Sequence, residues 1–248
     1  MYKYVISLTT IPSRFDNLHL TIDSLIYQTI LADKIIVNIP KIYNFRMNNS
    51  VISEQQINEF LNKYSKFNVV INFLNKDYGP GTKLLGFLNN QEDCYDLLNT
   101  FVVLVDDDII YKPYFIENFN NFVIKNKNDV FSYCVYNFNN IKIGQGVDGF
   151  FIKLNTLDKF LDYYKIIKDQ DYINYHDDHY ISYYFYLIKK SIEYIESPNN
   201  SLIYNIHDNT YIDALVNLND KYSRQNLNSK CIEILNVLKK NGYFDFLL

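Results

Sequence analysis

Three consecutive carboxylates, Asp106-Asp107-Asp108, follow directly on the apolar run Thr100–Val105. Adjacent acids repel one another, and something must offset that repulsion. One or two carboxylates completed by substrate phosphates and water is the usual way a protein holds Mg²⁺ or Mn²⁺. In extended chain Asp106 and Asp108 point to the same side. These two are therefore the candidate metal ligands, with Asp107 beside them on the ligand side. A cation there acts as a Lewis acid on a departing diphosphate. A solvated acidic turn is the alternative; the buried, central character of the preceding run favours the chemical reading.

A second acidic pair, Asp177-Asp178, lies in Tyr175-His-Asp-Asp-His-Tyr180, at the start of an apparent helix with apolar positions Ile181, Phe185 and Ile188. Acids at a helix start also serve as caps that suit the helix dipole. The chemical alternative is a general base that takes the proton from an attacking hydroxyl. His176, Asp177 and His179 could form a separate metal site, although flanking histidines are more often surface neighbours. His207, in Tyr204-Asn-Ile-His-Asp208, follows a short strand. Neutral imidazole suits Mn²⁺, and a satisfied polar or surface histidine is an equal reading.

Two further segments follow strands. In Ser7-Leu-Thr-Thr-Ile-Pro-Ser-Arg14, the hydroxyls of Thr9 and Thr10 and the guanidinium of Arg14 suit a ribose or phosphate. A helix cap with a surface arginine is the other reading. In Asp77-Tyr-Gly-Pro-Gly-Thr-Lys83, the Gly-Pro-Gly turn lets backbone approach a ligand, Lys83 can neutralise diphosphate charge, and Asp77 can accept from a base N–H. An ordinary turn with a capping Asp fits the same residues. Gly144, Gly146 and Gly149 suggest tight turns or close ligand approach. Among them Asp148 could face an acceptor, and Phe150 and Phe151 are either core or a platform for a sugar ring.

The elements that must position these groups read as alternating strands and helices. Strands are expected at Lys3–Thr9, Lys34–Ile39, Phe67–Leu74, Thr100–Val105 and Val130–Tyr136. Helices are expected at Asp16–Gln28, Ser53–Tyr64 (with Ser53 as cap), Thr82–Asn89 and Tyr114–Lys125. Such alternation implies a mostly parallel, doubly wound α/β sheet. Ligands then bind beyond the carboxyl ends of the strands, where the acids lie. Helices at Thr156–Tyr164, Asp178–Lys189 and Gln225–Lys239, with short strands at Ile192–Ile195 and Leu202–Ile206, complete the reading. No linker or repeat interrupts it. One domain over residues 1–248 is expected, with a donor half of about 1–110 and an acceptor half of about 111–248.

Composition narrows the classes. At 48% hydrophobic and 21% charged residues the chain is globular, and its net charge of −4 argues against a nucleic-acid groove. Cys94, Cys134 and Cys231 are scattered without zinc-ligand spacing, so free thiols in a reducing compartment are expected. No signal peptide and no apolar stretch of about 20 residues is legible, which points to the cytoplasm. Peripheral attachment through the aromatic-rich C-terminal half stays open.

The Asp-X-Asp that closes an apolar strand resembles the hallmark of GT-A glycosyltransferases. Ser7–Arg14 looks like the first-strand exit of a group of small GT-A enzymes with microbial and viral members, and Asp77–Lys83 looks like that group's nucleotide-side loop. Together these cover most of residues 3–110; the C-terminal half matches more weakly. The resemblance implies a GT-A fold, a nucleotide-sugar donor (often a UDP-sugar), and Mn²⁺ or Mg²⁺. It also implies a hexose transferred to a glycan or protein acceptor. Many inverting members carry an acidic pair at the place of Asp177-Asp178, whose second acid is the base; by that likeness Asp178 is the candidate, with Asp177 next. The usual pair is Glu-Asp, so Asp-Asp departs from it. A late histidine as further metal ligand, here His207, is likewise implied. A virus-encoded enzyme acting in the host cytoplasm is one form this takes. A sugar nucleotidyltransferase usually wants a Gly-rich basic loop after the first strand, where this chain has Thr-Thr-Ile-Pro-Ser-Arg. A non-catalytic sugar-binding module on the same fold is the alternative from another class.

Overall fold

The computed structural model describes residues 2–45, 47–89, 95–198, 204–206 and 224–247. In chain order the first elements are β1 (Lys3–Thr9), α1 (Leu18–Ile26), β2 (Lys34–Pro40), α2 (Glu54–Lys63), β3 (Val69–Leu74), α3 (Thr82–Asn89) and β4 (Thr100–Leu104). Then come β5 (Ile109–Tyr111), α4 (Phe115–Val123), β6 (Val130–Ser132), β7 (Val135–Phe138), β8 (Ile141–Gly144) and β9 (Phe150–Lys153). The last are α5 (Phe160–Ile167), α6 (Asp177–Leu187), β10 (Glu193–Tyr194), β11 (Tyr204–Ile206) and α7 (Arg224–Lys240).

Seven strands form one sheet in the order β10-β6-β9-β4-β1-β2-β3. The run from β4 to β3 is parallel. β9 lies antiparallel between β4 and β6. Alternation along the strands divides the core in two. Tyr4, Ile6, Leu8, Phe101, Val103 and Phe151 pack with Leu18, Ile22, Phe60 and Phe119 of α1, α2 and α4. Val5, Val102, Leu104, Phe150 and Ile152 pack with residues of α3, α5, α6 and α7, among them Leu84, Phe160, Tyr184 and Leu235. A sheet covered on both faces explains why the β4 sequence is continuously apolar. β5 with β11, and β7 with β8, form small antiparallel ribbons beside the main sheet.

The sequence expectations hold for β1 to β4 to within two residues. Ser53 caps α2 in a full capping box with Gln56. The single strand expected at Val130–Tyr136 is broken into β6 and β7. The Ser132 hydroxyl accepts the Cys134 N–H (3.2 Å) and donates to the Gln145 carbonyl (3.1 Å), which pulls the chain out of the extended run. The helix expected at Thr156–Tyr164 begins later, as α5, after a 3₁₀ turn at Leu154–Leu157. Phe150 and Phe151 are fully buried in β9, a strand absent from the sequence expectation, so they present no platform to a sugar. Cys134 and Cys231 form no disulfide among the described residues; Cys94 lies outside them. No helix among the described residues is long and apolar enough to cross a membrane.

Candidate active site

β4 stops at Leu104 and the chain turns at Asp107-Asp108 before β5. The acids therefore do not continue an extended strand, and the same-side rule gives way to a turn that divides them between two cations. Asp106 Oδ1 accepts from Lys83 Nζ at 2.6 Å. Asp107 Oδ1 and Asp108 Oδ2 both accept from Arg14 Nη1, at 2.9 and 3.1 Å. Neighbouring elements hold the turn. Thr21 of α1 donates its hydroxyl to the Asp107 carbonyl (2.8 Å). The Asp106 N–H donates to the Tyr111 hydroxyl (3.1 Å), which itself donates to the Val147 carbonyl (3.0 Å).

Lys83 stands in the first turn of α3 with its side chain 5% exposed, and its ammonium also lies 3.1 Å from Asp177 Oδ2. Burial alone would push its pKa down; the carboxylates of Asp106, Asp177 and Asp178 outweigh burial and hold it well above the usual lysine value. A buried polar chain fixes the backbone beneath it. Ser7 Oγ donates to the Lys83 carbonyl (2.6 Å), Asn38 Nδ2 to Ser7 Oγ (2.8 Å), and Asn72 Nδ2 to Asn38 Oδ1 (2.9 Å). A Cβ on Gly86 would fall 2.6 Å from Asn38 Oδ1, so helix and strand need a glycine there. Asn38 and Asn72 were not among the residues expected to matter. An asparagine inside an apolar strand is the signal that finds them, because a buried amide must be partnered.

Lys83 thus joins the triple-Asp turn to the acidic pair at the start of α6. Asp178 Oδ1 accepts the Gly146 N–H at 2.9 Å. Burial, and then the neighbouring Asp177 carboxylate, push the Asp178 pKa up to about 8. A Cβ on Gly146 would sit 2.7 Å from Lys83 Nζ, so this glycine is required by close approach. The turn it opens closes through Gly149 N–H to the Gly146 carbonyl (2.9 Å), with Gly149 at φ +92°. Asp148 within that turn is buried.

The remaining candidates fall around this centre. Thr9 donates its hydroxyl to the Asn38 carbonyl (2.9 Å), while the buried Thr10 hydroxyl has no partner among the described residues. Asp77 braces its own loop: Oδ1 accepts the Gly79 N–H (2.8 Å) and Oδ2 the Phe45 N–H (2.9 Å). The Phe45 ring packs on Tyr175 at 4.8 Å, so the segment braced by Asp77 touches the turn that leads into Asp177. Tyr43, not singled out from sequence, is buried near Asp77 and Asp107. Its pKa is raised by burial first and then by those two carboxylates. His179 is buried, with Nε2 3.3 Å from the Tyr136 hydroxyl and its ring against Phe138, and His176 packs edge-on to it at 5.5 Å. Among the described residues no group of three or more His, Cys, Asp or Glu is arranged to hold a metal by itself. His207 lies outside the described residues.

The donor set fits a divalent cation completed by a ligand. Among the described residues the cations paired with Asp106, Asp107, Asp108 and Asp177 are Arg14 and Lys83. Burial, and then Asp106 and Asp107, push the Asp108 pKa up to about 6 even with Arg14 beside it. That unrelieved negative charge is what a cation offsets. The Asp106 and Asp108 side chains are 34% and 27% exposed, so both can be reached from solvent.

No protein-family model and no curated protein sequence matches the chain. Among solved structures, S. aureus TarS aligns over 83% of this chain and 36% of its own, with 15% identity and a TM-score of 0.53. A 1–349 portion of TarS in complex with UDP-GlcNAc aligns over 64% of this chain and 47% of its own, with 16% identity and a TM-score of 0.43. The mannosyltransferase PcManGT from Pyrobaculum calidifontis, in complex with GDP-Man and Mn²⁺, aligns over 80% of this chain and 55% of its own, with 12% identity and a TM-score of 0.49. The chain spans about half or less of the length of these proteins. With the sheet order, the likeness to full-length TarS shows the fold: a Rossmann-like α/β architecture of the GT-A type.

Proposed function

We propose that this chain is a glycosyltransferase that moves a hexose from a nucleotide-sugar to an acceptor hydroxyl with Mn²⁺ or Mg²⁺ and with inversion. The observation that carries the reading is Lys83, one buried ammonium in contact with Asp106 and with Asp177. It brings the metal-type acids and the base-type acids within a single side chain's span, at the carboxyl ends of β1 and β4.

Asp106 and Asp108 would hold the cation, which as a Lewis acid stabilises the departing nucleoside diphosphate. Thr9, Thr10, Arg14 and Asp77 would face the nucleotide, with Asp107 behind Arg14 and with Lys83 supplying a fixed positive charge. Asp178 would take the acceptor's proton. Gly146 holds Oδ1 and thereby leaves Oδ2 for the hydroxyl. Its raised pKa makes it a stronger base than an ordinary carboxylate once ionised. Asp177, held against Lys83, is placed to orient the pair. A UDP-sugar is the donor the family resemblance favours, and a glycan or protein is the acceptor class.

The test pairs two substitutions. Asp108→Ala should weaken Mn²⁺-dependent binding of UDP, measured by calorimetry against GDP, ADP and CDP. Asp178→Asn should leave that binding nearly intact and lower transfer by about 10²–10⁴-fold, the usual share of general-base catalysis. Transfer at the parent rate by Asp178→Asn rejects the base assignment. Undiminished activity in excess chelator rejects the metal.

A further inference from the structure

The helix that carries Asp178 at its start carries a second feature at its end. A cavity of about 260 Å³ is lined by Lys142, Ser182, Tyr186, Lys189, Lys190 and Ser191, among others. Drug-sized ligands fill about 300–1,000 Å³, so this volume suits a small group. Asp178, Ser182 and Tyr186 recur every four residues and share one face of α6. Eight residues at 1.5 Å rise place the cavity about 12 Å along the helix from Asp178.

The cavity wall is basic in a chain whose net charge is −4. Two of its lysines have acidic neighbours: Lys190 with Asp129 at 2.7 Å, and Lys142 with Glu193 at 3.6 Å. A fourth lysine, Lys239, donates to the Tyr186 hydroxyl at 3.0 Å. Lys189 makes no ion pair and no side-chain hydrogen bond among the described residues, and its backbone is strained. It occupies the left-handed position that ends α6, at φ +57°, with Lys190 N–H bonded to the Phe185 carbonyl (2.9 Å) and Lys189 N–H to the Tyr186 carbonyl (3.3 Å). That pattern normally ends in glycine, because a side chain there is sterically penalised. A sterically penalised lysine whose ammonium makes no ion pair among the described residues is left available to an anion. Ser182, beneath the cavity, is fully buried, and its oxygen accepts the Gly144 N–H (3.1 Å).

We propose that this cavity is a second binding site, outside the transfer cleft, that takes a phosphate-type oxyanion. Lys189 and Lys142 supply the charge. Beneath the cavity Ser182 holds Gly144, two residues before the Gly146 that holds Asp178, so the site adjoins the segment that positions the candidate base. Such an oxyanion can be free phosphate or a phosphate group repeated along a polymer. The assignment does not depend on the transfer reading.

The experiment titrates inorganic phosphate, and separately linear polyphosphate, into the full chain without divalent cation, using calorimetry. The variants are Lys189→Gly and Lys142→Gln. Lys189→Gly should unfold at a higher temperature than the parent, since glycine relieves the left-handed strain. Its affinity should nevertheless fall on the order of tenfold, as the loss of one charge-assisted bond predicts. Lys142→Gln should fall by a similar factor. Binding of phosphate alone assigns the site to a single group, and binding of polyphosphate only assigns it to a polymer; either upholds the site. No binding of either probe, or equal binding by the parent and both variants, overturns it.

Discussion

Replacing Lys83 with Met removes the one charge that joins the two acidic clusters while keeping a side chain of similar length. Deleting one partner of a buried ion pair costs about 3–5 kcal/mol, because the other partner stays buried without compensation. Asp177 is 8% exposed and meets that condition; Asp106, at 34%, is partly screened by water. The lower end, about 3 kcal/mol, is therefore expected. For a chain of this size each kcal/mol moves Tm by about 2–4 °C, so the variant should melt about 6–12 °C below the parent at pH 7. The cause can be separated from lost packing. Without Lys83 the carboxylates bind protons more readily in the folded than in the unfolded chain, so the deficit should shrink as pH falls toward 5. It should also shrink with saturating Mn²⁺, which replaces the missing charge. Scanning calorimetry at pH 7 and pH 5, with and without Mn²⁺, reads all three. Equal melting at pH 7, or a deficit indifferent to both acid and Mn²⁺, refutes the bridging role.

Gly146→Ala places a methyl group 2.7 Å from the Lys83 ammonium and should lower transfer more than it lowers Tm; parallel activity and melting measurements check this. The metal-free protein should lose stability as pH rises from about 4 to about 8. Over that span Asp108, raised to about 6, and Asp178, raised to about 8, keep protons that the unfolded chain has released, and thermal melts at intermediate pH values follow the slope. Mn²⁺ should flatten it. Tyr111→Phe keeps the ring but leaves the Asp106 N–H and the Val147 carbonyl without their shared hydroxyl, at about 1–3 kcal/mol. Chemical denaturation measures that loss, and a parent-like midpoint would show that water takes the hydroxyl's place.

Strands β1, β2 and β4 were legible because periodicity reports burial and both of their faces are covered, whereas β3 is the edge strand and leaves Phe73 exposed. β9 was not legible, because four residues ending in lysine carry too short a signal to separate strand from buried turn. The triple-Asp turn and the Asp177-Asp178 pair were found by residue type and position, and the structure brings them together. Sequence gave no way to see that Lys83 would be their common neighbour: the contact spans 94 positions between residues 83 and 177, and nothing local encodes it. The same gap affects Asp77. A carboxylate before Gly-Pro-Gly reads equally as a ligand group or as a loop brace, and both of its oxygens are engaged by backbone amides. Asn38 and Gly146 act through close approach, which depends on what lies opposite them in space.

The antiparallel position of β9 has a consequence for how the chain comes together. Until residues 150–153 exist and turn back, the edge of β4 has no strand on the β9 side, and Phe101–Leu104 there are apolar and extended. During synthesis that edge would be open for more than forty residues of elongation, the state in which strands pair with the wrong chain. The same edge means that a fragment ending near residue 125 would carry the triple-Asp turn on an unsealed sheet. Such a fragment would be expected to self-associate, so the triple-Asp turn should be studied within the whole chain.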